Sequence, residues 1–498
     1  MTALLGHHDV VSSAPPTQSV RTTRHVAPRR RGAPLTRTAL IPWAIGALFA
    51  GLYSALLLLR YEYFMVPSWD LGIFTQVVRS YAGGHAPVAD IKGPGFNILG
   101  DHFSPVLAVL ALPYRVFPTA GTLLVAQAVL LGLSCVPVGR LAVRRFGPAA
   151  GSAVALAYGL SWGLQWAVES DIHEVAFAVP LLAFSLEAFL DRRWRRSVAW
   201  ALPLLLVKED LGFTVAVLGL LLVIKGQRRL GLATALVGIL GSMVTLLVVI
   251  PRFAEAHRYM YFGQFGTSGA PGGFGSVLAP VLHDPMTLLS SGTKLGTLFM
   301  LVLVAGGVCL RSPLMLLSVP TLFWRFASVD PVYWGTHYHY SAVLMPIVFI
   351  AFIDGLSRLL ADRWALGRRY AGVAIPVVTT VAVMLAAGLP LRALWHPSGW
   401  DDGRRQNAQA ALAVIPAGVA VETDLGLMSH LVSRDRVYWL GHASGVSPDY
   451  LAVDSGSGWS PPGPADLPAY AESLHPGSRY QLVWSQGGFS VLRREPSQ

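Results

Sequence analysis

Between residue 39 and about residue 391 the chain alternates long apolar runs with short polar turns. The first run, Ala39 to Leu59, has about the 20 residues that a bilayer core requires, and no small-residue cleavage site follows it. Further runs fall approximately at 119–140, 148–168, 175–190, 197–207, 211–224, 230–250, 296–311, 312–326, 341–360 and 370–391. The stretch 104–118 is shorter and broken by Pro113 and Arg115, which suits an interfacial or re-entrant helix. With 197–207 and 211–224 read as a hairpin, the pattern predicts about eleven crossings of an all-α polytopic bundle.

After about Trp395 the period changes. Helices are expected over 401–415, 425–433 and about 465–474, and strands over 418–423, 436–440 and 449–454; YQLVWSQ-GG-FSVLRR reads as a closing hairpin. Three parts are therefore expected: a disordered basic tail (1–38), a transmembrane domain (39–395) with an outer loop at 60–105, and a small α/β domain (396–498). No Gly-rich phosphate fingerprint follows the first of these strands, so nucleotide binding has no support there.

Composition agrees with a membrane protein: 53% of the residues are hydrophobic and 13% charged, where soluble chains carry about a quarter. The net charge of +11 sits in short clusters between apolar runs, as topology signals do, and does not imply nucleic acid. Arg140, Arg144 and Arg145, then Arg192 to Arg196, then Lys225 to Arg229, then Arg363 to Arg369 all fall on the side of the tail. By the positive-inside rule that side is cytoplasmic, which puts the 60–105 loop and the α/β domain outside the cell membrane. Cys135 and Cys309 each lie within an apolar run, so no disulfide framework is implied.

Acids and histidines then collect on the outer face. Asp70 lies in SWDLGIFTQ, where a carboxylate could take a proton from a hydroxyl or simply start a helix. Asp101 and His102 lie in GDHFSP, a candidate acid/base pair or an ordinary helix entry. ESDIHE, Glu169 to Glu174, puts Asp171 and Glu174 three apart with His173 beside them. Lys208, Glu209 and Asp210 interrupt an apolar stretch, where each charge costs on the order of 2.5 to 3.5 kcal/mol on insertion scales and is normally paired or used. GTHYHYSAV brings in His337 and His339, with Arg325 shortly before.

Taken in order, WDLGIF-Q, HFSP, IHE and KED resemble a family of polytopic membrane proteins known only as a domain of unknown function. In architecture that family is similar to the C-type glycosyltransferases, which use a sugar carried on a polyprenyl phosphate. The resemblance implies a membrane glycosyltransferase acting on an extracytoplasmic acceptor. It assigns catalytic roles to Asp70, Asp101, His102, His173 and Glu174, donor-phosphate binding to Lys208, Arg325, His337 and His339, and support to Asp171, Glu209 and Asp210. A divalent cation such as Mg or Mn is a candidate cofactor, and the resemblance implies that Asp101, His102, His173 and Glu174 either hold it or complete the pocket. Asp70 stands alone where the commonest C-type pattern has two adjacent acids. A transporter or channel with an outward polar site, and a non-enzymatic envelope protein, are the other classes the same residues allow.

Overall fold

The computed structural model describes residues 37–66, 69–265, 274–363, 365–396, 399–457 and 466–496. Nearly all of the expected tail, and Ser68 of the SWDLGIFTQ motif, lie outside these residues. Helix α1 (Arg37–Glu62) is apolar all round, as a lipid-embedded helix must be. The chain then folds into α2 (Trp69–Ala82), an isolated bridge between Val88 and Asn97, and a short α3 (Ala111–Val116). Leu112, Val116 and Phe117 are exposed at this last element.

Helix α4 (Ala120–Phe146) packs closely on α1 because small residues face each other: a Cβ on Gly132 would stand 2.7 Å from the Ala50 nitrogen. The run expected at 148–168 divides at Leu160 and Ser161 into α5 (Pro148–Gly159) and α6 (Trp162–Glu169). Helix α7 (Val175–Leu190) follows, then α8 (Trp194–Ala201), which tightens into a 3₁₀ turn over Leu202–Leu206 at Pro203 before α9 (Leu211–Ile224). Helix α10 (Arg228–Val244) returns along α9, passes through a π turn at Thr245–Val249 and ends as α11 (Ile250–Phe253). Beyond it come α12 (Phe274–His283), α13 (Gly292–Leu303), α14 (Val319–Ala327), α15 (Leu344–Ala361) and α16 (Ala365–Ala386).

Among the described residues five helices are long and apolar enough to cross a membrane: Thr38–Glu62, Ala120–Phe146, Arg228–Phe253, His339–Ala361 and Ala365–Ala386. Five more apolar helices are shorter, among them Val175–Leu190 and Leu211–Ile224. The roughly eleven crossings expected from apolar runs are not confirmed by this count, because prolines and polar turns divide several runs into α and 3₁₀ pieces.

The C-terminal part follows the expected order of elements: α17 (Asp402–Val414), β1 (Ala420–Thr423), α18 (Leu425–Leu431), β2 (Arg436–Trp439), β3 (Tyr450–Asp454), α19 (Leu467–Leu474), β4 (Tyr480–Gln486) and β5 (Phe489–Arg494). The sheet order is β2-β1-β3-β5-β4, with β1 parallel to β2 and β3 and the last three strands antiparallel. Gly487 and Gly488, with φ of 59° and 86°, make the tight turn of the closing hairpin. One apolar core runs from Ile45 and Phe49 of α1 to Val437 and Val491 of the sheet. Helix α18 carries that contact, with His430 stacked 4.0 Å from both Tyr61 and Phe64.

Candidate functional site

A cavity of about 500 Å³ opens where the polar motifs meet. Asp70, in the first turn of α2, reaches it from the 60–105 loop, and the Asp70 Oδ2 lies 3.2 Å from Nε2 of His173. The IHE turn that presents His173 is held from below by Gln127 of α4. The Gln127 Nε2 donates to the carbonyls of Ala167 and Asp171, while its Oε1 accepts from the His173 N–H at 2.9 Å. His173 in turn stacks on His339, ring centroids 3.5 Å apart. His339 arrives on a bend that passes through left-handed Tyr338, with φ of 63°.

The KED turn forms the facing wall. Lys208 Nζ donates to Glu174 Oε1 at 2.9 Å, joining the two polar turns. Glu209 is fully engaged: its carboxylate lies 2.8 Å from His102 Nδ1, accepts from Tyr259 Oη at 2.7 Å and accepts from the Phe103 N–H at 3.2 Å. Asp210 lines the same cavity, and its buried Oδ1 has no hydrogen-bond partner. Two further buried polar atoms of lining residues, His339 Nδ1 and Trp324 Nε1, are likewise unpartnered. Buried polar groups left unpaired are costly, so three at one cavity mark a place for a polar ligand.

Electrostatics separate the acids. Burial alone would raise the Asp70 carboxyl, but the charge and hydrogen bond of His173 outweigh it and hold Asp70 below the usual carboxylate range. For Glu209 burial is likewise outweighed, by His102 and Lys208, and the group is brought down to about 2. Asp210 has no imidazole partner, and burial outweighs the charge of Lys208 and pushes it up to about 6. Lys208 is held protonated: burial works against its charge, but Glu174, Glu209 and Asp210 more than compensate.

The other wall is apolar. Phe213, Leu246, Phe262, Phe265 and Phe323 line the cavity and pack around one cluster with Tyr259. Leu246 is set there by the π turn of the α10 span, a local widening often found at sites. Val319 lines the cavity and is 53% exposed, so the apolar wall reaches the outer surface of the bundle.

Asp70, His102, His173, Glu174, Lys208, Glu209, Asp210 and His339 thus come together. Four expected residues stand elsewhere. Asp101 pairs with Lys92 at 2.5 Å, and exposed His337 packs on Trp166, centroids 4.5 Å apart. Asp171 is a buried turn residue with φ of 61°. Arg325 is fully buried and spends its guanidinium on the carbonyls of Tyr333 at 2.8 Å and Gly335 at 2.6 Å and on Ser341 Oγ at 3.0 Å, fixing the loop that delivers His339. No group of three or more His, Cys, Asp or Glu side chains among the described residues is arranged to hold a metal ion. The site's acids and imidazoles are instead joined in twos, Asp70 with His173 and Glu209 with His102.

A family model described as a predicted membrane protein (DUF2079) matches residues 60–490, from the end of α1 to the start of the last strand. The chain belongs to this family. No curated protein matches it. Among solved structures, ArnT from Cupriavidus metallidurans bound to undecaprenyl phosphate is similar at a TM-score of 0.51 and 15% identity, covering 90% of this chain and 97% of that one. The same protein in the apo state aligns at a TM-score of 0.43 and 14% identity, covering 90% and 98%. The likeness of this DUF2079 member to the undecaprenyl-phosphate-bound structure is one of fold, in agreement with the architecture expected from the motifs.

Several of its site residues carried no motif. Gln127 could have been found as a lone amide within an apolar span, since intramembrane polar groups are usually used. Tyr259, Tyr261 and Trp324 resemble an ordinary interfacial belt in sequence. Only the return of α11 and α14 to the KED turn brings them to the cavity.

Proposed function

We propose that this protein is a membrane glycosyltransferase that moves a sugar from a polyprenyl-phosphate donor to an extracytoplasmic acceptor. The observation that carries the reading is a single cavity with an ionised Asp–His and Lys–Glu network on one wall and an apolar wall that reaches the bundle surface. A lipid-linked sugar has that same division, a polar head on a chain that prefers the bilayer. In this reading the acceptor oxygen attacks the anomeric carbon and the bond from that carbon to the phosphate oxygen breaks. The electron pair leaves on the polyprenyl phosphate, and the acceptor proton passes to a carboxylate oxygen of Asp70. Lys208 stabilises the charge that grows on the leaving phosphate, where electrostatic catalysis has most effect. His173 orients Asp70, and Glu174 holds the lysine in place until the donor arrives.

The test is to supply the purified chain, in lipid nanodiscs, with a panel of polyprenyl-phosphate sugars and to measure release of polyprenyl phosphate. Turnover supports the proposal. Absence of release together with solute flux in proteoliposomes would replace it with a transport function.

A further inference from the structure

A second cavity, of about 890 Å³, lies between the first turns of α8 and α10. Arg193, Arg195, Arg196, Arg228 and Arg229 line it together with Trp194, and no acid is among its lining residues. None of these five arginines makes an ion pair or a side-chain hydrogen bond among the described residues. The neighbouring arginines are treated differently by the fold: Arg144 pairs with Glu187 at 2.9 Å and Asp191 at 3.1 Å, and Arg140 also bonds Glu187. A topology signal needs only positive charge near the end of a span. Five arginines line one concave surface that holds no acid, and two of them, Arg193 and Arg196, also border the neighbouring cavity of Glu187 and Asp191 without pairing with either, which makes a binding arrangement.

The surroundings decide the ligand. Leu232, Leu236, Ile239 and Leu240 of α10 are exposed and run away from the cavity along a span long and apolar enough to cross a membrane, and Trp200 of α8 is exposed nearby. A group held by the arginines would therefore have an apolar helix face alongside it. We infer that this cavity binds the phosphodiester head of an anionic membrane phospholipid, whose chains lie along α10. Guanidinium forks match phosphate oxygens, and basic pockets between membrane helices take anionic headgroups in general.

The position gives the site its interest. Helix α9 (Leu211–Ile224) separates Asp210 from Lys225, so its 14 residues set the two cavities about 20 Å apart. Helix α8 with its 3₁₀ turn leads from the basic cavity to Lys208, and α10 leads from it to Leu246. The proposal does not depend on the chemistry assigned to the first cavity.

The experiment is native mass spectrometry and thermal unfolding of the full chain titrated with phosphatidylglycerol, phosphatidylcholine or inorganic phosphate. Phosphatidylglycerol should remain bound and raise the melting temperature, and phosphatidylcholine should not. In the Arg195→Gln/Arg196→Gln/Arg228→Gln/Arg229→Gln variant, each lost charge should weaken phosphatidylglycerol binding by about fivefold. The corresponding four-lysine variant should keep most of it. Arg368→Gln/Arg369→Gln, which removes exposed charge elsewhere, should change nothing. Equal binding of the two lipids, an equal loss in the Arg368/Arg369 control, or full competition by inorganic phosphate at matched concentration would each overturn the proposal, the last in favour of a soluble phosphate site.

Discussion

Asp70 and Glu209 are both carboxylates paired with an imidazole, but their environments are opposite. The Asp70 side chain is 45% exposed, opens to the cavity and has one imidazole partner, whereas the Glu209 side chain is 1% exposed and meets three donors. Asp70→Asn keeps size and helix-start character but cannot take a proton, so transfer should fall by roughly 10²–10⁴ while the protein folds and binds donor. Turnover alongside donor binding distinguishes this from misfolding. Glu209→Gln should instead destabilise the fold by about 3–5 kcal/mol, because it strands buried partners of an ion pair. The pH dependence has a definite sign. Glu209 is lowered to about 2, so its contribution to stability is present above its ordinary value near 4.5 and is lost as pH falls toward 2. Asp210 is raised to about 6, so its contribution is present below about 4 and is lost as pH rises through 6. Asp210→Asn should thus be neutral near pH 4 and gain stability relative to the parent above pH 6, which thermal unfolding across pH can read.

At the scale of elements, α2 matters most because one helix serves the cavity and the docking of the sheet. Its first turn offers Asp70, while the rest of the WDLGIF-Q motif grips the C-terminal part. Trp69 packs on Trp439 at 4.6 Å, and Gln76 donates to the Val437 carbonyl at 2.7 Å while accepting from the Ile91 N–H at 3.0 Å. Arg79 adds bonds to the carbonyls of Val432 at 3.0 Å and Asp435 at 2.7 Å. Gly72 is required by contact rather than by its backbone angles: a Cβ there would lie 2.8 Å from Met428 Sδ and 2.9 Å from Ile91 Cδ1. Gly72→Val should therefore push α18 from α2 at a cost of about 1–3 kcal/mol. Adding Met428→Ala should recover part of that loss, a coupling that a double-mutant cycle on unfolding would measure.

For the whole molecule, the proposed topology places both polar turns and the α/β part outside. Reporter fusions after Arg145, Arg196, Arg229 and Arg369 should report the cytoplasm, and fusions near Asp90 and Ser457 the outside; a cytoplasmic signal at Ser457 would reverse the assignment. The continuous core also bears on the segment from 396. Leu425, Met428 and Leu431 of α18 belong to the same apolar cluster as α1 and α2, so residues 396–498 expressed alone expose that face. The fragment should unfold at lower denaturant than the same segment in the full chain, as hydrogen exchange on β1 and β3 would report.

What the sequence determined by itself was local or compositional. Apolar runs fixed a membrane bundle, alternating patterns and Gly487-Gly488 fixed the strands and hairpin of the C-terminal part, and polar strings inside apolar stretches marked the IHE and KED turns, since charge there is too costly to be incidental. Asp70, His102, His173, Lys208 and their neighbours were legible for that reason. Pairing was decided only in three dimensions. Arg325 and Lys208 look equally suited to an anion along the chain, yet Arg325 is enclosed by carbonyls of the loop it fixes, while Lys208 faces the cavity. Gln127, Tyr259 and Trp324 join the site through contacts between residues far apart in sequence, which no periodicity encodes. Whether an apolar run is one helix or two likewise depended on where neighbouring elements could take up the backbone groups freed at a proline or a turn, a matter of tertiary packing rather than hydropathy.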